Sequence, residues 1–204
     1  GKNVVAELDF SGEGLVFDPY GTAIQGITNG SIFDPNFART RVPLLKNCEG
    51  GKPIDLWVEA SANTLFGVFS DVDPLQDSPK RHGWFEAKVE KMRMGIFDEK
   101  LWHLYLDVRI LLGLVMRLDE KTVRRVRIIR ALNNAVNAFG DEQKNTIEAR
   151  ECLKPELRKS ASASDLKVSA IGHAHIDTGW LWPVRETVRK CARTFATQLD
   201  LIEK

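Results

Sequence analysis

Apolar positions along this chain first recur with a period of two, in short runs, and from about residue 96 take the three-and-four spacing of helices. The early runs are Val4-Val5-Ala6-Glu7-Leu8-Asp9-Phe10, Leu15-Val16-Phe17 and residues 24–27, 41–45 and 53–60. Ser11-Gly12-Glu13-Gly14 reads as punctuation between the first two. Asp18-Pro19-Tyr20-Gly21 reads as a turn with proline at its second position, where the ring's fixed φ suits the geometry. A last strand is expected over residues 84–92, where Phe85, Ala87 and Val89 alternate with Glu86, Lys88 and Glu90. Short strands separated by Gly, Pro and Asn turns predict a β-sandwich over residues 1–95.

Residues 97–118 carry apolar side chains at 97, 101, 104, 105, 108, 111, 112 and 115, which predicts an amphipathic helix. A second helix is expected over 122–139, with Val123, Val126, Ile128, Ile129, Leu132, Val136 and Phe139 inward and Gly140-Asp141 closing it. Arg124, Arg125, Arg127 and Arg130 fit the solvated face of that helix; an anion site is the other reading. A third helix over 147–159 contains Pro155. Together these predict a helical linker subdomain over 96–160, with a flexible connection at Ser160-Ala161-Ser162-Ala163-Ser164-Asp165. Next come a β-prone run from Leu166 to Gly172, a loop, and a helix opening at Pro183 with apolar Val188, Ala192, Phe195, Leu199 and Ile202. The expected fold class is α+β and multi-domain. It has an N-terminal β-sandwich, a short helical linker subdomain, and over 161–204 the first strand, loop and helix of an α/β domain.

Composition narrows the function classes. Lys and Arg total 29 against 28 Asp and Glu, so neither a nucleic-acid footprint nor an acidic membrane surface is indicated. The longest apolar stretch, residues 110–116, is too short to span a bilayer, and Gly1-Lys2-Asn3 shows no apolar core of a signal peptide. Cys48, Cys152 and Cys191 are odd in number and far apart, which fits free thiols in a reducing compartment and predicts a cytoplasmic protein.

The chemistry gathers in His173-Ala174-His175-Ile176-Asp177-Thr178-Gly179-Trp180. In extended backbone, residues two apart point to one side, so His173, His175 and Asp177 form one row able to converge on a cation. Imidazole nitrogen with carboxylate oxygen suits a borderline dication such as Zn²⁺. Metallo-β-lactamase-like enzymes continue such a motif with another histidine, where this chain has Thr178. Amidohydrolase barrels use H-x-H without a sandwich in front. Trp180 and Trp182 add flat apolar faces of the kind on which sugar C–H faces stack. Trp182 reads as core packing, and Trp180, three residues from Asp177, as a sugar platform. Trp57 and Trp84, inside β-prone runs, read as core.

The stretch from His173 through Pro183, followed by Glu186-Thr187-Val188-Arg189-Lys190-Cys191-Ala192-Arg193-Thr194-Phe195, resembles the start of the catalytic domain of glycoside hydrolase family 38 α-mannosidases, most closely their cytosolic and vacuolar branch. Ser11 to Val16, Gln25-Gly26-Ile27-Thr28 and Leu56 to Asn63 are more loosely similar to that branch's leading β-domain. Gly179 is a small departure, since the branch often has Ala there. The resemblance implies that His175 and Asp177 bind a catalytic metal, usually Zn²⁺, with Co²⁺ or another divalent ion as the alternative. It implies that Trp180 packs against bound mannose, and that His173 holds a neighbouring ligand or a sugar hydroxyl. The substrate would be an α-mannose-containing oligosaccharide, the assembly a homo-oligomer and the mechanism retaining, with an aspartate nucleophile and a separate acid. Nothing in these 204 residues matches that nucleophile, that acid or a further metal-binding histidine, so no catalytic residue is assigned and the chain by itself is expected to be inactive. Two other readings stay open: a carbohydrate-binding or assembly role for the sandwich, and a different H-x-H-x-D metallohydrolase.

Overall fold

The computed structural model describes residues 2–28, 38–61, 88–140, 145–160, 167–180 and 182–203. They form two compact units, one of Gly1–Phe97 with Ile171–Lys204 and the other of Asp98–Ala170. The fold is α+β, with two antiparallel sheets and four helices among the described residues.

In the first unit, β1 (Lys2–Asp9), β4 (Arg41–Cys48) and β6 (Lys91–Ile96) form one sheet in the order β4-β1-β6. A second sheet, in the order β3-β2-β5, consists of β2 (Glu13–Phe17), β3 (Ala23–Thr28) and β5 (Trp57–Ser61). Ala6, Leu8 and Val42 from the first sheet meet Val16 and Ile27 from the second, with Phe10, Ile24, Leu44, Leu56 and Val58 around them. This shared apolar core makes the pair a β-sandwich. Burying each such aliphatic side chain contributes roughly 1.5–3 kcal/mol. One polar group enters the core: Gln25, fully buried, donates from Nε2 to the Arg41 carbonyl at 2.9 Å across the sandwich, so its desolvation is offset by a bond.

The strand positions correct several expectations. Glu13 and Gly14 do not punctuate the chain but begin β2, because both pair with β3 and β5 (Glu13 with Thr28 and Ser61). The strand expected over 84–92 is found instead as β6, which runs in register with β1 from Asp9↔Lys91 to Val4↔Ile96. Pairing with β1 sets its limits. Residues 84–87, Trp84 among them, lie outside the described residues, as do 161–166, where the flexible connection was expected. The strand expected over 53–60 shortens at its start to β5, and Trp57, expected in the core, is 67% exposed. In a two-faced strand, Val58 takes the core side and its neighbour the other.

The second unit packs α1 (Glu99–Val115), α2 (Val123–Phe139) and α3 (Thr146–Leu157). Asp98 and Thr122, whose side chains accept from Leu101 N and Arg125 N, cap the first two, so the helices start one or two residues later than periodicity suggests. Their common core is Leu104, Leu111, Ile128, Ala131, Leu132, Ala135, Ala149 and Leu153. Val123, Val126 and Val136, expected inward, are exposed instead. The closely packed stripe of α2 runs through Ala131 and Ala135, small residues that let neighbouring helices approach. Pro155 sits in the last turn of α3, so the one i→i−4 bond it removes, to the Glu151 carbonyl, falls close to the helix end.

Residues 167–177 form no strand, against the expectation for residues 166–172: among the described residues none pairs with them, and an extended run without a partner gains no ladder. They lead to α4 (Val184–Ile202), which packs on the second sheet, on the face opposite the sandwich core. That helix buries Glu186, Thr187, Lys190, Arg193 and Ala196 while Val188, Phe195, Leu199 and Ile202 stay exposed, the reverse of an ordinary amphipathic helix. The expected helix is there. Its apolar stripe is not what meets the described fold.

Candidate active-site loop

The buried side of α4 matches what the sheet offers it. Alternation along β2, β3 and β5 turns Glu13, Gly26 and Glu59 to one face. Gly26 lets the helix come close, since a Cβ there would lie 2.8 Å from the Arg193 carbonyl oxygen, and its N–H donates to Thr197 Oγ1 at 3.1 Å. Around this contact the charges pair. Lys190 Nζ lies 2.7 Å from Glu13 Oε2, Arg193 Nη2 donates to Glu13 Oε2 at 3.0 Å, and Arg193 also pairs with Glu186 Oε1. Two cations and two carboxylates, each less than a tenth exposed, thus neutralise one another. At the more open edge Arg189 donates to Glu59 at 2.7 Å, and that carboxylate, helped by Glu186, pushes the guanidinium's pKa up. Arg39 and Asp200 pair at 2.9 Å toward the far end of the helix.

The loop ahead of α4 carries the sequence motif. His175 Nε2 and Asp177 Oδ1 are 3.1 Å apart, so the imidazole and carboxylate do converge. The His173 and His175 rings face each other with centroids 6.3 Å apart and planes inclined by 18°. His173 and His175 are exposed and Asp177 half-buried. Among the described residues no group of three or more His, Cys, Asp or Glu is placed to hold a metal ion, so the row expected from extended geometry supplies a pair rather than a triad. A nitrogen and an oxygen this close fit two positions around one borderline dication.

Past Asp177 the chain turns at Gly179, whose φ of +76° favours glycine. The turn folds back on the start of α4. Thr187 Oγ1 accepts two hydrogen bonds, from Gly179 N at 3.0 Å and from Trp182 Nε1 at 3.1 Å. Trp180 N donates to the Trp182 carbonyl at 3.1 Å, and the two indoles meet edge to face at 5.7 Å. Lys190 Nζ sits 4.4 Å from the centre of the Trp182 ring, within cation–π range. Trp182 is half-buried against the helix, as core packing predicts, whereas Trp180 is 57% exposed. Sequence reasoning did not single out Thr187, Lys190 or Glu13. A signal existed for the second: Glu186, Lys190 and Arg193 share one helix face by spacing, and charges lined up on a single face call for partners.

Residues 1–104 match the family described as "Alpha-mannosidase, jelly roll domain", and residues 165–204 match "Glycosyl hydrolases family 38 N-terminal domain". A jelly roll is itself a two-sheet β architecture, in keeping with the sandwich. Alpha-mannosidase 2C1 of Mus musculus is 29% identical over 207 residues, which cover 100% of this chain and 19% of the relative. Alpha-mannosidase G of Dictyostelium discoideum is 31% identical over 191 residues, 92% of this chain and 17% of the relative. The Alpha-mannosidase of Saccharomyces cerevisiae is 27% identical over 219 residues, again 100% of this chain and 19% of the relative. The chain thus spans about a fifth of the length of these curated relatives. The sandwich falls within the first match, the His/Asp loop and α4 within the second, and the chain belongs to the family 38 α-mannosidases.

Proposed function

We propose that the protein hydrolyses terminal non-reducing α-D-mannose residues from mannosides and oligosaccharides by a metal-dependent, retaining mechanism. The observation that carries this reading is the His175–Asp177 pair, 3.1 Å apart, inside the stretch that matches the family 38 domain. His175 would hold a divalent ion, Zn²⁺ or else Co²⁺, through Nε2, and Asp177 through Oδ1. When bound, the ion supplies Lewis acidity toward the sugar's 2- and 3-hydroxyls. His173, its ring parallel to that of His175, orients this ligand or a sugar hydroxyl. Trp180 offers its exposed indole to the C–H face of mannose.

Two protein ligands are fewer than the three or four a zinc site uses. The remaining ligands, the aspartate nucleophile and the acid are therefore supplied from outside these 204 residues, which alone neither turn over substrate nor hold Zn²⁺ tightly. On this reading residues 1–95 are the sandwich, 96–160 a helical linker and 161–204 the opening of the catalytic domain. The exposed stripe of Val188, Phe195, Leu199 and Ile202 supports the last assignment, because it suits the inner face of a larger body. The protein works in the cytoplasm as a homo-oligomer assembled through the sandwich, which light scattering of the complete protein would check. Among the described residues no helix is long and apolar enough to cross a membrane.

The direct test replaces His175 and Asp177 by alanine, singly and together, in the complete enzyme. The expected result is loss of bound metal together with α-mannosidase activity. Retained turnover in the double variant, or an active enzyme free of metal, overturns the reading.

A further inference from the structure

The sugar platform proposed above is exposed and sits at the tip of a loop with no strand or helix of its own. Its geometry must therefore come from what the loop rests on. Backbone and side-chain ties both run from that tip to two residues of α4. The Thr187 hydroxyl receives the Gly179 N–H and the Trp182 indole N–H, which fixes the positive-φ turn and the Trp182 ring plane together. The Lys190 ammonium lies on the Trp182 ring at 4.4 Å. Trp182 in turn carries Trp180, through the backbone bond at 3.1 Å and the edge-to-face contact at 5.7 Å. Lys190 is itself held by Glu13, a β2 residue of the sandwich, at 2.7 Å with both side chains buried. A long, flexible lysine head keeps its place on an indole face only when something anchors it, and the carboxylate does so.

We infer that Thr187 and Lys190, the latter anchored by Glu13, are positioning residues that set the orientation of Trp180 toward the mannose ring, so that the β-sandwich takes part in shaping the substrate site. This rests on the sugar-contact reading of Trp180. Neither residue touches substrate; both act through Trp182. Because a misplaced platform weakens sugar binding more than it alters bond cleavage, the effect falls mainly on KM.

The test uses the complete enzyme and a simple α-mannoside, with Trp180→Ala as reference and Arg39→Ala as control. Arg39 pairs with Asp200 and also ties α4 to the sandwich unit, away from the loop. Thr187→Val and Lys190→Met are expected to raise KM about tenfold, as the loss of one well-made polar contact would, with kcat changed by less than about twofold. Lys190→Arg and Thr187→Ser, which keep the charge and the hydroxyl, are expected to restore KM, and Arg39→Ala to leave both constants near wild type. Fluorine NMR of the enzyme labelled with 5-fluorotryptophan should show the Trp180 resonance shifted in Thr187→Val and Lys190→Met but not in Arg39→Ala. If Lys190→Met fails to fold, Thr187→Val, which removes no charge, carries the test. A raised KM in Trp180→Ala beside wild-type KM in Thr187→Val and Lys190→Met overturns the inference and leaves the proposed function standing. No effect from Trp180→Ala itself overturns the sugar-contact reading and the inference with it.

Discussion

The sheet β3-β2-β5 is packed against on both faces, but by opposite means. Toward β4-β1-β6 it presents Val16, Ile27 and Val58 to other aliphatic side chains. Toward α4 it presents Glu13 and Glu59 to Lys190, Arg193 and Arg189. The apolar face is stabilised by area removed from water, tolerates small changes of shape and asks little of direction. The charged face gains little net stability over an apolar alternative of the same shape, because desolvating its four buried ions, Glu13, Glu186, Lys190 and Arg193, costs much of what their pairing returns. What it adds is register. Lys190 and Arg193 both reach Glu13 Oε2, at 2.7 Å and 3.0 Å, and the helix start, with the loop tied to it, is thereby aligned on the sandwich.

The largest effect expected from this contrast is at Glu13. Glu13→Ala leaves Lys190 and Arg193 buried without their shared partner and should cost about 3–5 kcal/mol by urea denaturation. Adding Lys190→Met should cost less than the sum of the two single changes, since the second removes a charge the first left stranded. Next is Gly26→Ala. Its Cβ would come within 2.8 Å of the Arg193 carbonyl oxygen, so α4 must shift, at about 1–3 kcal/mol, read as a lowered melting temperature. On the apolar face, Ile27→Val should cost only about 0.5–1.5 kcal/mol. A larger loss there than at Glu13 would break the comparison.

The smallest effect is electrostatic and lies at the sandwich edge. Lys91 and Arg93, at 3.1 Å and 2.7 Å, hold the Glu7 carboxyl's pKa below its ordinary value, the bond from Arg93 contributing most. A lowered folded-state pKa stabilises the fold above the carboxylate range, and that contribution is lost as the pH falls through the range toward the lowered value. Such exposed pairs contribute about 0.2–1 kcal/mol each. Glu7→Gln should therefore lower stability at neutral pH by about 0.2–1 kcal/mol, leave stability in acid unchanged, and so flatten the acid limb of the profile slightly.

Much of this was legible in the chain itself. Among the described residues, alternation, turn residues and three-and-four spacing located five of the six strands to within a few residues and all four helices, because each depends on neighbours in sequence. The spacing of His173, His175 and Asp177 marked the loop, and the structure brings the last two together. Other features depended on partners distant in sequence. Whether residues 167–172 become a strand depends on a neighbour to pair with, and among the described residues they have none. Which side of α4 is covered depended on carboxylates about 130 and 177 positions away, Glu59 and Glu13, which give its polar face partners on the sheet. Sequence by itself determined most of the elements and the spacing of the His/Asp motif, since local sterics, period and side-chain chemistry suffice for those. Only the tertiary structure decided that a polar helix face is the buried one and that Thr187 and Lys190 hold the tryptophan pair, because burial and charge pairing are set by whatever the fold places opposite.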